Sequence, residues 1–226
     1  VPNPSLKTFD TALGEIPHYQ RYPSMLPFVG AEYGSVHHPK LLVVGESFYF
    51  PEESTSHEDP VKWYSMDQSV LDKDNEIAWI NCRELLECGW KSAGHRMYRE
   101  LNACLAELNL QTEDRPVSHI AFTNAFMRPA KKGASMRHTY VHQDISVSLD
   151  VLTKVFSALR PDVVVFASMF AWRAVGVNFQ DGLPGVEFKF VSHPADPRHW
   201  NKRSYQHGRT KFINILKIWS GTSPCA

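Results

Sequence analysis

Glu46, Ser47, Tyr49, Asn124 and His193 are the residues whose types and settings suit chemistry in this chain. Glu46 and Ser47 follow Gly45 at the end of a four-residue apolar run (41–44), inside "HPKLLVVGESFYFP". A carboxylate there can orient water or face a growing positive charge, and Ser47 can position the same water. Asn124 closes "SHIAFTN" (118–124), and a carboxamide presents both a donor and an acceptor. His193 follows "VEFKFVS" (186–192), and Ser168 follows the apolar run 163–166 and opens "SMFAWRAV". Each residue thus stands just behind a segment that reads as a strand. In open α/β sheets, ligands bind outside the carboxyl ends of the strands. Four parallel strands would gather a carboxylate, a carboxamide, an imidazole and several rings at one sheet edge.

The positioning elements follow from periodicity. Runs 41–44 and 163–166 are continuously apolar, as expected of strands covered on both faces, while 186–192 alternates like an edge strand. Met97, Leu101, Leu105 and Leu108 recur at helical spacing, as do Ile145, Leu149, Leu152, Phe156 and Leu159 behind Asp144 as cap. Phe212, Ile215, Leu216 and Trp219 repeat the pattern. Strands alternating with helices predict a three-layer α/β/α fold with a central, mainly parallel four-stranded sheet. Residues 1–39 carry Pro2, Pro4, Pro17, Pro23, Pro27 and Pro39 and read as an irregular arm packed on the domain. Residues 40–220 then form a single domain, a size that allows a substantial core.

Charge gives little direction, since 24 basic residues balance 24 acidic ones. Cys82, Cys88, Cys104 and Cys225 contain no CxxC pair and read as buried free thiols. Nothing approaches the ~20 apolar residues of a membrane span, and a cytoplasmic setting without membrane contact is expected. His138 and His142 are four apart without a carboxylate partner, and His37, His38, His57, His95, His199 and His207 add no ligand pair, so no metal site is expected.

Three ordered elements resemble the uracil-DNA glycosylase superfamily. "VVGESFY" is similar to the strand and Gly-led motif of that family, written GQDPYH or GEAPG in its branches. "VSHPADP" is similar to its late HPSP-type motif. "LRPDVVVFASMFAWRAV" resembles its connecting strand and helix, with Ala167-Ser168 where Gly-Lys is usual, and "FTNAF" supplies the strand-end asparagine. The matches span roughly residues 40 to 215 in order. The resemblance implies a DNA base-excision N-glycosylase needing no cofactor, acting on a modified base flipped into a pocket. It implies Glu46, Ser47 and His193 as catalytic residues, with Gly45, Phe48, Tyr49 and Asn124 around the base. Asn124 would read the base edge, and His193 would donate to a base oxygen as charge builds there. The sequence departs at the third motif position, Ser47 in place of a carboxylate, and at Ala195-Asp196 after His-Pro.

Simpler roles compete. Glu46 can cap a helix, Asn124 can satisfy strand-end backbone, and Phe48 and Tyr49 can fill the core. "RPAKKGASMRH" (128–138) and "DPRHWNKR" (196–203) place Arg128, Lys131, Lys132, Arg198 and Trp200 beside the expected site. These groups can follow a phosphate backbone, with Trp200 as a wedge, or form solvated faces. The expected partner is DNA carrying a modified base, single strands included, or a small nucleobase-containing molecule. Two other functions fit the same residues. One is a catalytically inactive nucleic-acid- or nucleotide-binding protein of the same fold. The other resembles the SGNH esterases, with Ser47 as nucleophile, His199 as base and Asp196 orienting it.

Overall fold

The computed structural model describes residues 5–35, 38–88, 95–108, 115–180, 182–201 and 207–221. Its centre is a sheet of five strands, one more than expected: β1 (Phe28–Val29), β2 (Leu41–Phe50), β3 (Ile120–Lys131), β4 (Val163–Phe166) and β5 (Glu187–Phe190). They lie in the order β1-β3-β2-β4-β5. β2 pairs parallel with β3 and β4, β4 pairs parallel with β5, and β1 alone is antiparallel.

The extra strand comes from the segment read as an irregular arm. Pro17 and Pro23 each start a helical turn, as proline can where a first-turn N–H needs no partner. α1 (Asp10–Gly14) and α2 (Pro17–Arg21, with Pro17 in its first turn) bury Leu13 and Tyr19. Tyr22 then stacks on Trp63, with ring centroids 4.4 Å apart. β1 seals the outer edge of β3 through Phe28↔Phe122 and Val29↔Ala121, and Gly30 N–H extends the ladder to Ile120 O.

Short helices lead from β2 towards β3: α3 (Pro60–Ser65), α4 (Ala78–Ile80), α5 (Cys82–Cys88) and α6 (Arg96–Ala106). After β3 come α7 (His142–Leu159), α8 (Met169–Ala174), α9 (Pro197–Trp200) and α10 (Gly208–Trp219). Successive side chains of a strand point to opposite faces. Phe122 lies level with Val43 and Phe166 with Val44, so those two rings point to opposite faces of the sheet. Tyr98 of α6 meets Phe122, while Trp172 of α8 meets Phe166 and stacks on Phe190. Phe156 of α7 packs on Phe188 on the same side as Trp172. Two helical layers therefore enclose the sheet, with α10 packed on α6.

Several expectations change once the strands are placed. β2 and β3 run on to Phe50 and Lys131, well past Gly45 and Asn124. Arg128, expected on a basic surface, sits within β3 and is only 2% exposed. Its guanidinium makes a two-bond fork to Asp144 (2.9 and 2.7 Å) and donates to His57 O and Thr139 O. Asp144 is no simple cap. It sits inside α7, reaches back to Val141 N–H, and accepts from Tyr64 Oη as well. Trp200 is fully buried, with Nε1 donating to Glu100, so it cannot wedge into a base stack. Cys82 and Cys104 are buried free thiols, held up at about 12 chiefly by desolvation, but Cys88 is exposed. Cys225, His37, Lys202 and Arg203 lie outside the described residues. Among the described residues, no helix is long and apolar enough to cross a membrane.

Candidate active site

The chain leaves β2 for β3 on one side and leaves β4 for β5 on the other, so the connections diverge between β2 and β4. That divergence opens a crevice at the carboxyl ends of the two strands, the usual ligand position in such sheets. β4 ends at Phe166, paired with Val44, while β2 continues beside β3 alone. Glu46 lies on this free flank of β2, and Ser168 stands above the end of β4.

Glu46 is 7% exposed and held by two serines. Ser135 Oγ donates to Oε1 and Ser168 Oγ donates to Oε2, each at 2.6 Å. Both serines also receive a backbone N–H: Ser135 from Arg137, and Ser168, the N-cap of α8, from Ala171. With a lone pair of each hydroxyl engaged by the backbone, its proton is directed at the carboxylate. Glu46 makes no ion pair among the described residues. Taking a carboxylate out of water is costly, and two neutral donors offset only part of that cost.

His193 follows β5 in a tight turn, where Asp196 N–H donates to its carbonyl. Its Nδ1 accepts the N–H of Ala195 at 3.1 Å. An accepting Nδ1 places the proton of the neutral ring on Nε2, leaving Nε2–H as the free donor. Burial lowers the imidazole below its usual range, while Glu46 and Asp196 pull weakly the other way. His193 thus lies within electrostatic reach of Glu46.

Asn124 takes a different place from the one expected. It is mid-strand in β3, level with Gly45, so its side chain shares the face of Gly45 and Ser47. Glu46 points to the opposite face. Asn124 is 2% exposed, and its Oδ1 has no hydrogen-bond partner. Gly45 makes this arrangement possible, because a Cβ there would lie 2.3 Å from Asn124 Oδ1. Tyr49 is partly buried, its hydroxyl pushed up to about 12 by desolvation and by the Glu46 charge. Ser47 is buried beside Asn124, and Phe48 belongs to the core.

Around the mouth of the crevice, Phe170 of α8 stacks on Phe126 at 5.4 Å, with Tyr140 edge-on at 5.3 Å and Arg137 above its ring. Of the expected basic contacts, Lys131, Lys132 and Arg198 are exposed, with Lys132 lying over the ring of Trp79. Asp196 and His199 do form a pair, at 2.7 Å, but it sits on the surface at the start of α9. No hydrogen bond joins Ser47 to His199, so the esterase triad is not assembled. Ser135, Phe170 and Tyr140 were not singled out from sequence. Ser135 lies 89 positions from Glu46, and nothing local marks that contact.

No protein-family model matches the chain, and no curated protein matches it either.

Proposed function

We propose that the protein hydrolyses the N-glycosidic bond of a modified base turned out of a DNA strand. The observation that carries this reading is the buried Glu46 carboxylate, held by two serines and without an ion-pair partner among the described residues, beside the end of β4, with a His193 ring oriented by Ala195 N–H. Breaking the bond sends its electrons to the leaving base and leaves the sugar positively charged. Nε2–H of His193 supplies a hydrogen bond where the base becomes negative, and donors aimed at such charge contribute ~3–4 kcal/mol. Glu46 faces the positive sugar and orients the water whose hydroxyl adds to it, the released proton passing to the base. Asn124 faces the other side of β2 from Glu46, so its buried, unsatisfied Oδ1 takes no part in this step.

The test is incubation with oligonucleotides carrying uracil, hypoxanthine or xanthine, followed by alkaline cleavage of abasic sites. Wild-type product that falls about 100-fold in both Glu46→Gln and His193→Ala supports the proposal. No product on any substrate overturns it. One observation favours a non-catalytic binder of the same fold: both Glu46 oxygens already hold serine hydroxyls. That alternative predicts affinity for these oligonucleotides without base release.

A further inference from the structure

A second concavity lies apart from the crevice and shares none of its residues. It has a volume of about 500 Å³ and lies between the end of α2 and the segment 67–77. Arg21, Lys73, Gln68 and Asp67 contribute polar walls, while Leu71 and Ile77 supply apolar surface. That volume is in the range of small-molecule sites, which combine an apolar lining with a few convergent polar groups.

Its cations lack carboxylate partners among the described residues. Arg21 Nε is buried with no hydrogen-bond partner. Neither Arg21 nor Lys73 forms an ion pair among the described residues, where eight other pairs do form. A buried donor left unpaired costs free energy that a ligand acceptor would recover. Gln68 is oriented too, since its Oε1 takes Ser24 N–H at 2.9 Å and its amide N–H groups are left over as donors. Asp67 is engaged at the N-terminus of the next turn, accepting Ser69 N–H at 2.8 Å.

We propose that this cavity binds a small phosphate monoester. Arg21 and Lys73 take the phosphate oxygens, Gln68 donates a third hydrogen bond, and the body of the ligand lies over Leu71 and Ile77. Two cations and an amide suit a dianion with several acceptor oxygens better than a single carboxylate, and the guanidinium can engage two oxygens at once. A small ligand fits better than a nucleic-acid backbone, because two cations line the depression, fewer than the several phosphate contacts a nucleic-acid strand needs.

Titration calorimetry with adenosine monophosphate, inorganic phosphate, adenosine and oligothymidylate tests this on the whole chain. Saturable binding of the monophosphate and of phosphate is expected, with adenosine giving no signal. Arg21→Gln should weaken the monophosphate about tenfold or more, and Lys73→Gln about threefold, with unchanged circular dichroism. Equal binding of adenosine and its monophosphate, unchanged affinity in both variants, or Arg21-dependent binding of oligothymidylate alone would each overturn the assignment. The outcome is independent of base release, because Glu46 and His193 take no part in it.

Discussion

Two buried charges show how differently this fold treats a carboxylate. Asp144 is fully buried and meets the Arg128 fork, Tyr64 Oη and Val141 N–H, so every strong acceptor direction is filled by a matched donor. Glu46 is nearly as buried, yet it meets two hydroxyls and no cation. The first arrangement ties β3 to α7 and leaves nothing to offer a ligand. The second leaves the carboxyl without an ionic partner at the point where the sheet opens. An enclosed ion pair holds the fold together, whereas an enclosed lone charge is a cost that a reaction can put to use. His18 takes a third course: its ring is buried between Tyr22 and neighbouring aromatics and stays neutral, with its titration lowered to about 3 by desolvation and by Arg21.

Breaking the compensated pair should have the largest effect. Asp144→Asn strands the Arg128 guanidinium in the core and should cost about 3–5 kcal/mol in urea unfolding. A loss under ~1 kcal/mol would remove the contrast with Glu46.

The buried neutral imidazole comes next. The unfolded chain takes up a proton on His18 near pH ~6.5, whereas the folded chain resists until about 3. The unfolded state therefore binds more protons in that interval, and stability falls as pH drops through it. About 2 kcal/mol from His18 should disappear between pH ~6.5 and ~5, and His18→Phe should remove that share of the slope in denaturation curves, leaving the part due to His57, His95 and His193, which burial also lowers.

A smaller cost, about 1–3 kcal/mol, is expected for Gly45→Ala, whose methyl group must displace the Asn124 carboxamide. Because Asn124 faces away from Glu46, product formation by the folded protein should hold, and a loss of activity beyond the loss of stability would return Asn124 to the site. Smallest of all is the stability effect of Glu46→Gln. The amide keeps its shape and one serine turns to accept from it, so unfolding should shift by no more than about 1 kcal/mol. A loss as large as that of Asp144→Asn would make Glu46 a structural residue and sharpen the case against catalysis.

Periodicity carried most of the architecture. Residues 163–166 form β4, β5 is a partly exposed edge strand, and the apolar stripes of α6, α7 and α10 face inward. Strand length was harder to read. Gly45 and the polar residues after it look like an exit from the sheet, yet Gly45 lies within β2 to make room for Asn124. Arg128 was misplaced for a related reason: a cation in a basic run reads as solvated, and its partner sixteen positions away reads as a helix cap. The prolines of the first forty residues hid two helices and a strand, because proline disfavours helix interiors but suits helix starts. At the site, Glu46 and His193 were singled out because each follows a strand-like run in the sequence, although Glu46 lies within β2, whereas the Glu46–Ser135 contact depends on a long-range approach with no local trace.

The antiparallel ladder from β1 to β3 has a consequence for behaviour at high concentration. Uncovered, the rim of a twelve-residue central strand would offer a row of vacant amides and carbonyls to a second molecule. Phe28, Val29 and Gly30 occupy the first part of that row, and the Trp63 indole takes the carbonyl of Met127 further along. Residues 28–30 thus cover an edge that would otherwise invite pairing, and shortening the chain past Gly30 would expose it to strand swapping or aggregation.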